Sequence, residues 1–190
     1  MANFLDKVQP KNRMQLKELI EYAFKHSIYD LNFIDTSEIT DMYGLFSNVN
    51  HNFDVSGWDV SNVTNMRCTF YKCNMFTGKG LENWDVSNVT NMSDMFYYCK
   101  KFDCDLSHWN VSNVTDTSVM FYYCYDFDSD LSNWNVSNVK DMSYMFTVCE
   151  NFKGKGLENW DVSKVEDMKY MFGGCDKVSI PSWYKLYHKK

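Results

Sequence analysis

The stretch Trp134–Cys149, WNVSNVKDMSYMFTVC, decides the fold, because the chain repeats it. Close copies start at Trp58 (WDVSNVTNMRCTFYKC), Trp84 (WDVSNVTNMSDMFYYC), Trp109 (WNVSNVTDTSVMFYYC) and Trp160 (WDVSKVEDMKYMFGGC). A diverged copy, IDTSEITDMYGLFSNV, starts at Ile34. Successive starts lie 24, 26, 25, 25 and 26 residues apart. A fixed period of this size marks stacked units, none of which can bury its apolar face alone.

Within a copy the apolar spacing changes. From Leu106, the residues Leu106, Trp109 and Val111 follow an LxxLxL spacing, and Trp109 and Val111 alternate with Asn110 and Ser112. That period of two, with an aromatic and a β-branched residue inward, predicts a short strand. Val114, Thr117, Met120, Phe121, Cys124 and Phe127 then fall at steps of three and four, which predicts a short helix or 3-10 turns. Between the two halves stand an unbroken serine column (Ser37, Ser61, Ser87, Ser112, Ser137, Ser163) and an Asp/Asn column (Asp41, Asn65, Asn91, Asp116, Asp141, Asp167). Asp and Asn before a turn accept hydrogen bonds from free amides, and serine closes turns through its side chain, so both columns are expected to cap. A calcium ladder is the functional alternative, but the glycines and Asp spacing of calcium-binding nonapeptide repeats are missing.

Residues 1–30 are assigned to an N-terminal cap, 31–178 to six repeats and 179–190 to a C-terminal cap, together one structural domain. Residues 1–12 are expected to be loose. Met14 to His26 carries an apolar stripe (Met14, Leu16, Leu19, Ile20, Ala23, Phe24), and Asn12 with Gln15 resembles a capping box, so a helix covers the first unit. Ile180-Pro181-Ser182-Trp183-Tyr184 closes the last, with Lys185, His188, Lys189 and Lys190 keeping the end solvated. Gly78-Lys79-Gly80 and Gly154-Lys155-Gly156 absorb one inserted residue each; the phosphate-binding pattern, GK then Ser or Thr before a helix, is not met.

Five of the seven cysteines, Cys73, Cys99, Cys124, Cys149 and Cys175, lie 15 residues after their tryptophan; Cys68 and Cys104 are irregular. A single file does not converge on a metal. Parallel neighbours hold their Cβ atoms about 4.8 Å apart, unfavourable for disulfides. A ladder of buried, reduced thiols is the expectation.

Little in the sequence points to chemistry. Net charge is −6 and pI about 5.1, which disfavours nucleic acid. No apolar run reaches the about 18 residues of a membrane span, and the N-terminus shows no signal peptide, so an intracellular location is expected. His26, His51, His108 and His188 belong to no catalytic motif, so neither enzymatic activity nor a cofactor is expected.

The run W-D-V-S-N-V-T-N-M-S-x-M-F-x-x-C-x-x-F, closing with D-L-S-x-W, resembles the short-repeat bacterial surface proteins grouped as BspA-like leucine-rich repeats, a unit also carried by mycoplasma-type lipoproteins. The resemblance covers about Leu31 to Trp183. It implies a right-handed, leucine-rich-repeat-like α/β solenoid, with short parallel strands and short helical turns on the convex side. It also implies adhesion or other protein recognition, and a cell-surface location where a leader has been removed. On that architecture the outward strand columns are Gly57, Asn83, His108, Asn133, Asn159 and Asp59, Asp85, Asn110, Asn135, Asp161. They vary in charge and shape. Asn83, His108, Asn133 and Asn159, with Asp59, Asp85, Asn110, Asn135 and Asp161, are therefore the candidate surface for a protein partner of a monomeric module. A structural or ice-type regular surface is the alternative.

Overall fold

The computed structural model describes residues 7–187. It holds six stacked coils, beginning at Ile34, Trp58, Trp84, Trp109, Trp134 and Trp160, between helices α1 (Arg13–Lys25) and α2 (Ser182–Tyr187). The expected solenoid of short strands and helical turns is not found. Among the described residues the β-type pairing between coils is limited to isolated parallel bridges, one residue per coil, along Asp41, Asn65, Asn91, Asp116, Asp141 and Asp167. The only helical pieces within the coils are 3-10 turns at Leu81–Asn83 and Leu157–Asn159.

The coils are built from turns. In coil four the amide of Trp109 donates to Leu106 O, Val114 to Val111 O, Met120 to Thr117 O, Cys124 to Phe121 O and Phe127 to Cys124 O, at 2.9–3.4 Å. Each turn therefore starts and ends on a buried residue. A spacing of three meets this requirement as well as it meets a helix, and that is why the pattern imitates one. Positive φ excludes the helix: Val119 and Tyr123 stand at 61° and 60°, as do Cys68 and Lys72, Asp94 and Tyr98, and Tyr144 and Val148 at 56–60°. In the turns from Met66 to Thr69 and from Phe70 to Cys73, these residues hold the third position, where positive φ defines a type II geometry. The Trp-x-Val segment is extended at Trp84 and Trp160. It ends at once, because the next turn opens at the valine.

Coil-to-coil bonding comes from the first and third residues of two successive turns. The amides of Thr117, Val119, Phe121 and Tyr123 donate to the carbonyls of Asp141, Ser143, Met145 and Thr147 at 2.8–3.0 Å. The same four bonds join coil one to two, two to three, three to four and five to six. We call this stretch the turn ribbon. Side chains add three further ladders to the preceding coil. Trp58, Trp84, Trp109, Trp134 and Trp160 donate Nε1–H to the carbonyls of Leu31, Val55, Leu81, Leu106 and Leu131 at 2.8–3.3 Å. Asn62, Asn88, Asn113 and Asn138 donate Nδ2–H to the serine carbonyls of Ser37, Ser61, Ser87 and Ser112. Cys73, Cys99, Cys124, Cys149 and Cys175 donate S–H to the carbonyls of Phe46, Phe70, Phe96, Phe121 and Phe146 at 2.7–3.0 Å.

The core between the ribbon and the tryptophan side is aromatic. Phe46, Phe70, Phe96, Phe121, Phe146 and Phe172 stack with centroids 5.4–5.8 Å apart. Offset aromatic pairs add roughly 0.5–1.5 kcal/mol each beyond area burial. Both inserted loops need their second glycine. Gly80 has φ 95°, and a Cβ there would lie 2.2 Å from Ser56 Cβ; Gly156 has φ 85°, with Ser132 at 2.3 Å.

The caps close the ends. Asn12 Oδ1 accepts from the Gln15 amide, while Gln15 Oε1 accepts from Lys11 rather than from Asn12. Helix α1 buries Leu16, Ile20 and Ala23, whereas Met14 is 67% exposed and faces away. Contrary to expectation, residues 7–12 are not loose throughout. Val8 bridges Ile34, and Gln9 Nε2 donates to Asp35 and Ser37; residues 1–6 lie outside the described residues. At the other end Trp183 stacks on Trp160 and donates to Leu157 O at 2.8 Å, and Tyr184 is buried against Phe172. Lys185 is exposed, and His188, Lys189 and Lys190 lie outside the described residues.

Candidate interaction faces

The coils expose three sets of columns. The first is the tryptophan side. Asp59, Asn83, Asp85, His108, Asn110, Asn133, Asn135, Asn159 and Asp161 are all exposed, and successive coils bring them side by side. No sheet carries them; the tight turn after Trp-x-Val does. Asp59, Asp85, Asn110, Asn135 and Asp161 each accept, through Oδ1, the amide of the serine two residues on at 3.0–3.2 Å. This is the Asx turn, in which a short side chain replaces a backbone acceptor. It corrects the role given to the serine column: the serine closes the turn with its amide and, at Ser61, with its hydroxyl, both to the Asp carboxylate, and its carbonyl accepts the next coil's asparagine. Hydrogen bonds from the serine hydroxyls, and then from the serine amides, hold the Asp85 and Asp161 carboxyls below their usual pKa. Asn83, His108, Asn133 and Asn159 behave differently. Their side chains make no hydrogen bond among the described residues. Gly57 is exposed and presents only its backbone, whose amide donates to Asn32 Oδ1.

The ribbon side carries tyrosines that the sequence reading did not single out. Tyr71, Tyr97 and Tyr122 stack at 4.6 and 5.2 Å, their planes within about ten degrees of parallel. Tyr98 packs on Tyr123 at 5.0 Å, and Tyr144 on Tyr170 at 5.2 Å. Partial burial pushes the phenols of Tyr71, Tyr97 and Tyr122 upward, so they remain protonated donors at neutral pH. Lys100 lies over the Tyr98 ring and Lys72 over Tyr71. The signal in the sequence is the Tyr pair within MFYYC of coils three and four. The Asp/Asn column that opens each ribbon acts as expected in accepting amides: Asp41, Asn65, Asn91, Asp116, Asp141 and Asp167 take that of the residue two on, without a following helix.

A third, narrower set holds the exposed Thr40, Thr64, Thr90 and Thr115. The last three donate Oγ1–H to the threonine carbonyl of the preceding coil. Lys140 and Glu166 end the column.

Seven cysteines are free, and burial raises the ladder thiols, Cys73 to about 12 and Cys175 to about 11. They are protonated at neutral pH, as their donor role requires. Among the described residues no group of three or more His, Cys, Asp or Glu side chains is placed to hold a metal, and no helix is long and apolar enough to cross a membrane. His108 has Asp105 as a charged neighbour and lines a surface hollow with Lys79, Glu82 and Cys104.

Stacked turn-built coils, joined by side-chain ladders and flanked by exposed columns, define a short-period repeat protein. The chain belongs to the family described as Mycoplasma protein of unknown function, DUF285, whose model matches residues 14–102 and 67–183. No curated protein and no solved structure matches it.

Proposed function

We propose that this chain is a non-enzymatic protein-recognition module that binds its partner through the tryptophan-side face. The observation that carries this reading is the row Asn83, His108, Asn133 and Asn159: exposed, with side chains that make no hydrogen bond among the described residues, and one per coil beside Asp85, Asn110, Asn135 and Asp161. Residues that neither pack nor cap are free to serve a ligand. The face is polar and mildly acidic, so it suits a basic or hydrogen-bonding protein surface, whose association is steered by charge and weakened by salt. The likeness of the repeat to BspA-like surface proteins supports the same class of function.

The test follows from the Asx turns. Asp85→Asn with Asp161→Asn removes two charges yet keeps the acceptor that Asn110 and Asn135 already supply. Combined with His108→Ala, these changes should leave the fold intact and weaken association with a partner crosslinked from position 133. If binding survives them and is abolished by Tyr97→Ala with Tyr122→Ala, the ribbon side is the binding face and this assignment is wrong.

The threonine column favours a second reading, a regular surface of the ice-binding kind. It is four residues long, and the hydroxyl protons of Thr64, Thr90 and Thr115 point to backbone carbonyls rather than to solvent. Thermal hysteresis separates the two functions.

A further inference from the structure

The stack has two unlike ends. Every ribbon bond runs one way, from an amide of one coil to a carbonyl of the next. In coil six the corresponding amides belong to Met168, Tyr170, Phe172 and Gly174. The Tyr184 hydroxyl sits against the Phe172 and Met171 backbone. The amides of Met168, Tyr170 and Gly174 have no acceptor among the described residues. Tyr170 is 62% exposed and Gly174 is exposed beside it.

The carbonyls of this edge are already used. Those of Asp167, Lys169, Met171 and Gly173 accept from coil five, and those of Met168, Tyr170 and Phe172 close turns within coil six. An ordinary strand edge offers donors and acceptors alternately and pairs with another such edge. From Asp167 to Gly173 this one has no carbonyl left over, so two copies lack the acceptors to join edge to edge. The opposite end offers the carbonyls of coil one. Arg13 Nη1 occupies that of Tyr43 at 2.8 Å, and α1 covers the core behind it. Joining of copies head to tail is thereby obstructed.

We propose that the donor edge of coil six is a docking site for an extended segment of a partner protein, lying parallel to residues 168–174 and presenting backbone carbonyls to the amides of Met168, Tyr170 and Gly174, with the Tyr184 hydroxyl keeping its place against Phe172. The recognition is strand addition, in which main-chain bonds supply affinity and flanking side chains select. Its template is the preceding interface, where Met142, Tyr144, Phe146 and Val148 donate to Asp167, Lys169, Met171 and Gly173 at 2.7–2.9 Å. Beside the edge stand Lys169, Tyr170 and Glu166 as the exposed selecting groups. This site is separate from the tryptophan-side face.

The probe is a synthetic peptide copying residues 139–150, VKDMSYMFTVCE, which carries the carbonyls of coil five in the required order. Added to the 15N-labelled full chain, it should shift the amide signals of Tyr170 and Gly174 and slow their hydrogen exchange at least tenfold. Tyr144 and Val148 should not change, and a scrambled peptide should have no effect. No slowing at Tyr170 and Gly174 would overturn the proposal. So would perturbation at Asn83, His108 and Asn133 instead, which places the peptide on the lateral face and leaves that reading standing. Changes at the edge with protein concentration alone would identify a second copy as the occupant, and would also overturn it.

Discussion

The thiol of Cys124 donates to the carbonyl of Phe96 at 3.0 Å, across the boundary between two coils. Cys124 and Phe96 are both fully buried. The same carbonyl accepts the Cys99 amide at 3.0 Å, so the thiol supplies its second bond, and a bond of this kind contributes about 0.5–1.5 kcal/mol net. The cysteine column is thus a polar ladder as well as a packing column, and it works only while the thiols are protonated.

This fixes a pH dependence. Burial raises Cys73 from 9.0 to about 12 and pushes Cys99, Cys124 and Cys149 well above 9.0. A thiol whose folded pKa exceeds its unfolded value contributes stability that is complete below the unfolded pKa. That stability is lost as pH rises through the folded pKa. Urea midpoints should therefore hold steady to about pH 8, then fall between about pH 9 and 12, by up to about 1.4 kcal/mol per pH unit for each titrating thiol. A flat stability curve to pH 11 would contradict the ladder.

Thiol accessibility should follow burial. A small disulfide reagent should modify one cysteine quickly in the native protein, Cys68, which alone is not buried, and all seven in denaturant without reductant. Protection of Cys68 together with rapid reaction at Cys99 would reverse the assignment.

Trp109 tests the indole ladder. Its Nε1–H donates to Leu81 O at 2.8 Å. Trp109→Phe keeps most of the volume and leaves that carbonyl only its bond from the Trp84 amide, for a loss of about 0.5–1.5 kcal/mol. Trp109→Ala adds a cavity and should reach about 3–5 kcal/mol. Chemical denaturation of both variants measures the difference; equal, small losses would mean that the indole bond contributes nothing.

Gly80→Ala should destabilise more than Gly57→Ala. Gly80 stands at φ 95° with Ser56 backbone and side chain in the path of a Cβ, whereas Gly57 lacks positive φ and meets only the Asn32 side chain, at 3.1 Å. Strained backbone of this kind costs on the order of 1–3 kcal/mol. Melting temperatures of the two variants in the opposite order would count against the inserted-loop geometry.

The sequence made some of this legible and concealed the rest for identifiable reasons. Asn12 and Gln15 announced α1, because capping is local chemistry. The cysteine column announced buried thiols, because a constant position in every unit implies a constant environment. The secondary structure of Val114–Phe127 was misread, since i, i+3, i+4 spacing is shared by a helix and by serial turns. What separates them is the positive φ of Val119 and Tyr123, which an L-residue name does not reveal. Val8 left no trace because a single bridging residue has no period. Asp59, Asp85 and Asp161 were correctly placed outside, yet their bonds to Ser61, Ser87 and Ser163 depend on the turn that had been read as strand.

The most direct test of the turn-built stack is the partner of each ribbon amide, read by NMR couplings transmitted across hydrogen bonds. The account predicts couplings from the amides of Thr117, Val119, Phe121 and Tyr123 to the carbonyls of Asp141, Ser143, Met145 and Thr147, one coil further along the chain. Couplings from Phe121 and Tyr123 to carbonyls four residues earlier would show a helix in each coil and contradict it.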